Sequence, residues 1–229
     1  MRRRRVIILL VTVLVMCCGC GQRRQPSATV LADKNQDYVV TILLDMSGSF
    51  QNMMLENGKG YKFALQVIDQ YFRDRIGEPD QLIIAQISGN DRALLWQGTP
   101  QQLRRDFPSA SAFRDFLGSK SNPNGSLVHE AVARSLDYMV NDPAVMNGKT
   151  KCALLVLSDM EDNGPRTEDL KSRIMTALKD FGAAGGIIGL YYVNTDYVPK
   201  WRSVLKNSDI ASYCVEADIV SRPTLPSFE

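Results

Sequence analysis

Residues 38–50 read YVVTILLDMSGSF. The first seven are apolar or β-branched, the pattern of a strand buried on both faces. The run stops at an acid, Asp45, and hydroxyl residues follow at Ser47 and Ser49. An acid in that place has two readings. It is a helix N-cap followed by turn residues, or it is the first of several oxygen ligands for a hard cation.

The pattern of buried strands recurs along the chain. QLIIAQIS (81–88) is a second such run, and ALLWQG (93–98), set off by the turn GNDR, reads as its antiparallel hairpin partner. KCALLVLSD (151–159) again ends in an acid, GGIIGLYYVN (185–194) follows, and ASYCVEA (211–217) closes the series. Amphipathic segments alternate with these runs. Phe63, Val67 and Tyr71 with Ala64, Ile68 and Phe72 recur at four-residue spacing, a helical stripe. Short helices are expected in TPQQLRRDF and SAFRDFLGS. A further helix is expected from Ser126, with Val128, Val132, Leu136 and Met139 on one face. Thr167 begins another as a hydroxyl cap followed by Glu168 and Asp169, with Leu170, Ile174, Leu178 and Phe181 inward. A short helix is expected near Trp201. Strands alternating with helices predict an α/β protein: a Rossmann-like, doubly wound, mostly parallel sheet with one antiparallel edge strand and helices on both faces.

The N-terminus belongs to something else. Arg2 to Arg5 form a positive cluster ahead of the apolar run Val6–Met16. Eleven residues rise only about 16 Å as a helix, short for a bilayer core. The pattern is that of a secretory signal, with an uncleaved anchor helix as the competing reading. MCCGCGQ (16–22) then resembles a bacterial lipoprotein signal, in which a lipidated cysteine becomes the first mature residue. Gly19 is small and precedes Cys20, which makes Cys20 the lipidation site; Cys17 stands where such signals usually have Leu. The resemblance implies a lipid-anchored, extracytoplasmic protein of the cell envelope. Gly21, where an acid would imply inner-membrane retention, points to the outer membrane. The expected organisation is a signal at 1–19, a lipidated tether at 20–36, a domain at 37–220 and a loose tail at 221–229.

Processing reverses the sign of the charge. The 229-residue chain has 27 Lys and Arg against 25 Asp and Glu, and four of the bases are the leading arginines. Without them 23 bases face 25 acids, a balance of −2. No basic cluster with interleaved aromatics occurs downstream, so no nucleic-acid partner is expected. Of five cysteines only Cys152 and Cys214 lie in the domain. An extracytoplasmic location permits a disulfide, but both sit in apolar strand-like runs and read as buried thiols.

Ligands of open α/β sheets collect at the carboxyl ends of the strands, near the switch in strand order. Three polar features fall there: Asp45 with Ser47 and Ser49, Ser126 at a helix start, and Asp159 after a buried strand. Two carboxylates and three hydroxyls provide oxygens for a hard divalent cation.

Asp-x-Ser-x-Ser after the first strand, a later hydroxyl, and an acid after the fourth sheet strand resemble a von Willebrand factor A (VWA) domain with its metal-ion-dependent adhesion site. The similarity extends over roughly residues 37–218. It implies the VWA fold, a bound Mg2+ (or Mn2+ or Ca2+), and Asp45, Ser47, Ser49, Ser126 and Asp159 as its ligands, directly or through water. It implies a protein partner whose acidic side chain completes the metal shell, and adhesion rather than catalysis. Ser126 stands for the family's threonine, and Met160 for the glycine that commonly follows the last acid. Glu161 and Asp162 are expected to be solvated loop residues.

The competing readings are a metal-dependent phosphohydrolase-like enzyme and a structural domain with a vestigial site. Haloacid-dehalogenase-like phosphatases place a nucleophilic Asp after the first strand, but need a second acid two residues on, where this chain has Ser47. GxSxG is absent, and the single histidine, His129, is expected to be exposed or capping in the first turn after Ser126. In a vestigial site, Ser47 and Ser49 would only satisfy backbone groups.

Overall fold

The computed structural model describes residues 38–48, 50–54, 58–74, 80–87, 93–120, 126–164, 167–220 and 223–224. The expected signal, Cys20, the tether and Ser49 lie outside these residues, as does the tail except at 223–224. The strands are β1 (Tyr38–Asp45), β2 (Gln81–Ile87), β3 (Leu94–Gly98), β4 (Lys151–Leu157), β5 (Ile187–Val193) and β6 (Ser212–Ala217). The helices are α1 (Gln51–Met54), α2 (Lys59–Asp74), α3 (Pro100–Asp106), α4 (Ala110–Lys120), α5 (Val128–Val140), α6 (Pro143–Met146), α7 (Glu168–Ala183) and α8 (Val198–Lys206).

The six strands form one sheet in the order β3-β2-β1-β4-β5-β6. Only β3 is antiparallel. The chain leaves β1 towards β2 and β3, then returns to its other side with β4. The switch in strand order therefore lies between β1 and β4, and the carboxyl ends of these strands are where open sheets of this kind usually take ligands. All eight residues of β1 are buried, as expected for a central strand covered on both faces.

Side-chain alternation along the strands builds two cores. Val39 and Leu43 of β1 face a cluster with α5, α7 and α8, including Leu136, Phe181 and Trp201. Val40, Ile42 and Leu44 face the opposite cluster with α2, α3 and α4, including Phe63, Leu103 and Leu117. Helices thus cover both faces, and Phe63, Ala64, Val67 and Ile68 of α2 and the predicted inward stripes of α5 and α7 lie in or against these clusters. Thr167 caps α7, accepting the Leu170 N–H at 3.2 Å. Two short helices, α1 and α6, were not expected from periodicity, since four residues are too few to show one.

β5 departs from regular alternation near its carboxyl end. Its register with β6 shifts between Leu190 and Val193, and Tyr192 has a φ of 63°. The bulge turns the consecutive residues Tyr191 and Tyr192 into the same core. Phe63 packs on both rings, at 4.5 and 5.9 Å. Gly189 leaves room for this arrangement, because an added Cβ would lie 2.6 Å from the Tyr191 ring. Cys152 and Cys214 are free thiols; Cys152 is buried as the sequence indicated, whereas Cys214 is only partly buried. Thr224, in the segment read as a loose tail, is tied to the sheet: its N–H donates to Glu216 at 2.8 Å and its carbonyl accepts from the Tyr191 hydroxyl.

Candidate functional site

Asp45 ends β1 at the switch point and is fully buried. The parallel register pairs Leu44 with Leu157, so Asp45 stands level with Ser158, the residue after β4. Ser158 Oγ donates to Asp45 Oδ2 at 2.6 Å, and Ser126 Oγ donates to the same oxygen at 3.3 Å. The Ser47 N–H donates to Oδ1 at 2.9 Å, which folds the start of the β1–α1 loop back over the carboxylate. Among the described residues, no Lys, Arg or His pairs with Asp45. Among the described residues its donors are all neutral, so no opposite charge among them offsets the cost of burying the carboxylate.

The donor chemistry fits a hard divalent cation. Ser47 and Ser126 are buried like Asp45, so their oxygens are shielded from bulk water. The Ser126 hydroxyl gives its proton to Asp45 and keeps its lone pairs. All of the expected donors are oxygens, the type that Mg2+ and Ca2+ take. Among the described residues, no group of three or more His, Cys, Asp and Glu gathers around a common point. A cation here therefore depends on the hydroxyls as much as on Asp45 and Asp159.

Asp159 directly follows Ser158 and is partly buried. Its Oδ1 accepts the Glu161 N–H at 2.9 Å, and its carbonyl accepts the Asn194 N–H at 2.9 Å. Met160 has a φ of 63° while its side chain is only 2 % exposed. Its N–H donates to Ser158 Oγ at 2.9 Å. The backbone thus adopts the left-handed turn for which glycine is the usual choice, and the methionine side chain is used in the core.

Three expectations are corrected. Ser126 does not open the helix: α5 begins at Val128, with Leu127 at its N-cap and no side-chain cap there. Asp162 is not solvated, since its side chain is 4 % exposed and lies 2.9 Å from His129 Nδ1. His129 is neither exposed nor capping. Its side chain is 18 % exposed, and its ring packs on buried Trp201 at 5.6 Å. These residues are brought inward because the loop after β4 folds onto the start of α5, which sequence spacing does not show. Ser158 was missed as well. A serine between a strand and an acid is common in turns, and only the β1–β4 register gives it a partner.

The structure thus joins Asp45, Ser126 and Ser158 by side-chain hydrogen bonds, with Ser47 bound through its backbone and Asp159 on the adjacent loop. No protein-family model matches the chain. No curated protein is similar to it in sequence. Solved structures share the fold at low identity. The SpRpn10 VWA domain superposes with a TM-score of 0.54 at 10 % identity, covering 78 % of this chain and 87 % of that one. The N-terminal domain of TFIIH p34 gives 0.52 at 12 % identity, covering 80 % and 93 %. The pilus adhesin SpaC from Lactobacillus rhamnosus GG, in its open conformation, gives 0.52 at 12 % identity over 80 % of this chain and 28 % of the adhesin. The chain has the Rossmann-like VWA fold.

Proposed function

We propose that this domain binds a protein partner through a divalent cation held at the carboxyl edge of its sheet. The reading rests on one observation above all: a fully buried Asp45 carboxylate held by Ser126, Ser158 and the Ser47 N–H, with no basic side chain among the described residues paired to it. Ser47, Ser126, Asp45 and Asp159, with Ser49, would hold the ion, Mg2+ by preference, directly or through water. Bound there, the ion supplies a Lewis-acidic position open to a carboxylate. The protein's own part is to fix the oxygens and to bury them in a low-dielectric crevice, where a charged partner is attracted more strongly than in water. An acidic side chain of the partner then occupies the open position, and the surrounding loops select the partner. The N-terminal sequence supports display of this module outside the cytoplasm, anchored to a membrane by lipid on Cys20.

The test is thermal melting in Mg2+ against chelator, with pull-downs under both conditions. Selective binding to the native state raises the midpoint in proportion to the logarithm of metal concentration. Asp45→Ala should abolish both that rise and the Mg2+-dependent capture of partner. A midpoint indifferent to Mg2+ would sink the reading, and phosphatase activity dependent on Asp45 would replace it with hydrolysis.

A further inference from the structure

The segments expected to present Ser126 and Asp159 are separate in sequence, and a near-octahedral ion at about 2.0–2.1 Å from its ligands tolerates little error between them. We propose that His129 and Asp162 are a positioning pair that fixes this separation. The inference rests on the cation reading above, but neither residue is a ligand in it.

The loop after β4 is fastened to the start of α5 at several points. The Asn163 N–H donates to the Ser126 carbonyl at 2.9 Å. Asp162 Oδ1 accepts the His129 backbone N–H at 3.4 Å. Asp162 Oδ2 lies 2.9 Å from His129 Nδ1, a close contact without the alignment of a hydrogen bond. Gly164 packs so closely on Leu127 that an added Cβ would lie 3.0 Å from its Cδ2, and 3.4 Å from both Asp162 oxygens.

These contacts have a local cause. Helix α5 begins at Val128, and its N-cap residue Leu127 gives it no side-chain cap, leaving its first N–H groups without intrahelical partners. Asp162 caps it from 33 positions further along the chain. A carboxylate at a helix N-terminus is also favoured by the helix dipole. His129, held against Trp201, packs its ring against the second carboxylate oxygen and limits where the carboxylate can move. The cap of α5 and the placement of the Asp159 loop are therefore one structure, and the pair acts on the site through the backbones of Ser126 and Asp159.

The test uses the full chain, calorimetric titration with Mg2+, and amide hydrogen exchange of residues 158–163 in chelator. His129→Ala should weaken Mg2+ binding about tenfold, the lower end of the loss from removing residues that orient metal ligands. It should also speed exchange at the Met160, Glu161 and Asn163 amides. His129→Asn, which keeps a donor near the Nδ1 position, should restore affinity to within about threefold of wild type. Mg2+ affinity within twofold of wild type in His129→Ala overturns the proposal. Should wild type take up no Mg2+, the cation reading fails and exchange alone decides the pair: faster loop exchange in His129→Ala supports the fastening, and unchanged exchange overturns it. Asp162→Asn, which keeps an acceptor for the helix cap, serves if His129→Ala does not fold.

Discussion

Ser158 donates its hydroxyl proton to Asp45 at 2.6 Å across 113 positions of sequence, and both residues are fully buried. The bond links the two central strands at their carboxyl edge. Ser158 also accepts the Met160 N–H, so a single hydroxyl ties Asp45 to the turn that carries Asp159.

Ser158→Ala removes a hydrogen bond to a buried carboxylate and strands the Met160 N–H. Bonds to charged groups contribute about 1.5–3 kcal/mol, so a loss of about 2 kcal/mol is expected, or about 4–8 °C in melting midpoint for a chain of this size. Ser158→Thr keeps the hydroxyl and should lose much less. Urea melts in chelator measure both, and equal stability of wild type and Ser158→Ala would contradict the assignment.

Asp45→Asn separates fold from cation. The amide keeps the shape, relieves the buried charge and gives up part of the hydrogen bonding, effects of opposite sign. In chelator its stability should stay within about 1 kcal/mol of wild type, while the Mg2+-dependent rise in midpoint disappears. Paired melts with and without Mg2+ check this, and a retained rise would show that Asp45 is not part of the site.

Met160 joins a strained backbone to a buried side chain. A left-handed φ costs a non-glycine residue about 1–2 kcal/mol, and burying a methionine contributes about 1.5–3 kcal/mol. Met160→Gly relieves the first and loses the second, besides loosening the unfolded chain. Met160→Ala keeps the strain and loses the burial. The expected order of stability in denaturant melts is Met, then Gly, then Ala.

Alkaline pH should unfold the domain through its buried acids. Burial pushes the Cys152 thiol up from 9.0 to about 12 and the Tyr192 phenol up from 10.0 to about 12. Tyr191 is raised too, by burial first and then by Cys214 and Glu216. In each case the unfolded chain releases its proton before the folded one. The stability these groups contribute is complete below their unfolded values and falls as pH rises from about 9 towards 12, by at most about 1.4 kcal/mol per pH unit for each. Cys152→Ala should flatten this decline in melts between pH 9 and 11. For the same reason the Cys152 peptide should stay unlabelled by iodoacetamide until the protein is denatured.

The sheet was legible because burial on both faces makes β1, β2, β4 and β5 into apolar runs, and because the turn-forming composition of GNDR separates the β2 and β3 runs in sequence. The stripes of α2, α5 and α7 were legible for a similar reason: a helix against a sheet hides one face only. Asp45 and Ser126 stood out by residue type, at the end of a strand and ahead of a helix, and the structure joins them by a hydrogen bond. Ser158, His129 and Asp162 did not stand out. Each depends on a partner supplied by register or by loop packing, as in the 33 positions between His129 and Asp162. Met160 shows a different limit. Its residue type argues against a left-handed turn, and the turn forms because the side chain has a core to enter.

The register of β1 against β4 also has a consequence for biosynthesis. During translation β1 can pair with β2 as soon as residues 81–87 emerge, while its other edge waits for residues 151–157. An apolar strand with one open edge is a template for wrong pairing, and contacts so distant in sequence form slowly. The nascent chain therefore passes through an interval in which half of its sheet exists with an adhesive inner edge. That interval ends only when β4 joins β1 and Ser158 reaches Asp45, so a chain truncated before β4 would lack half of its sheet and the switch between the two central strands.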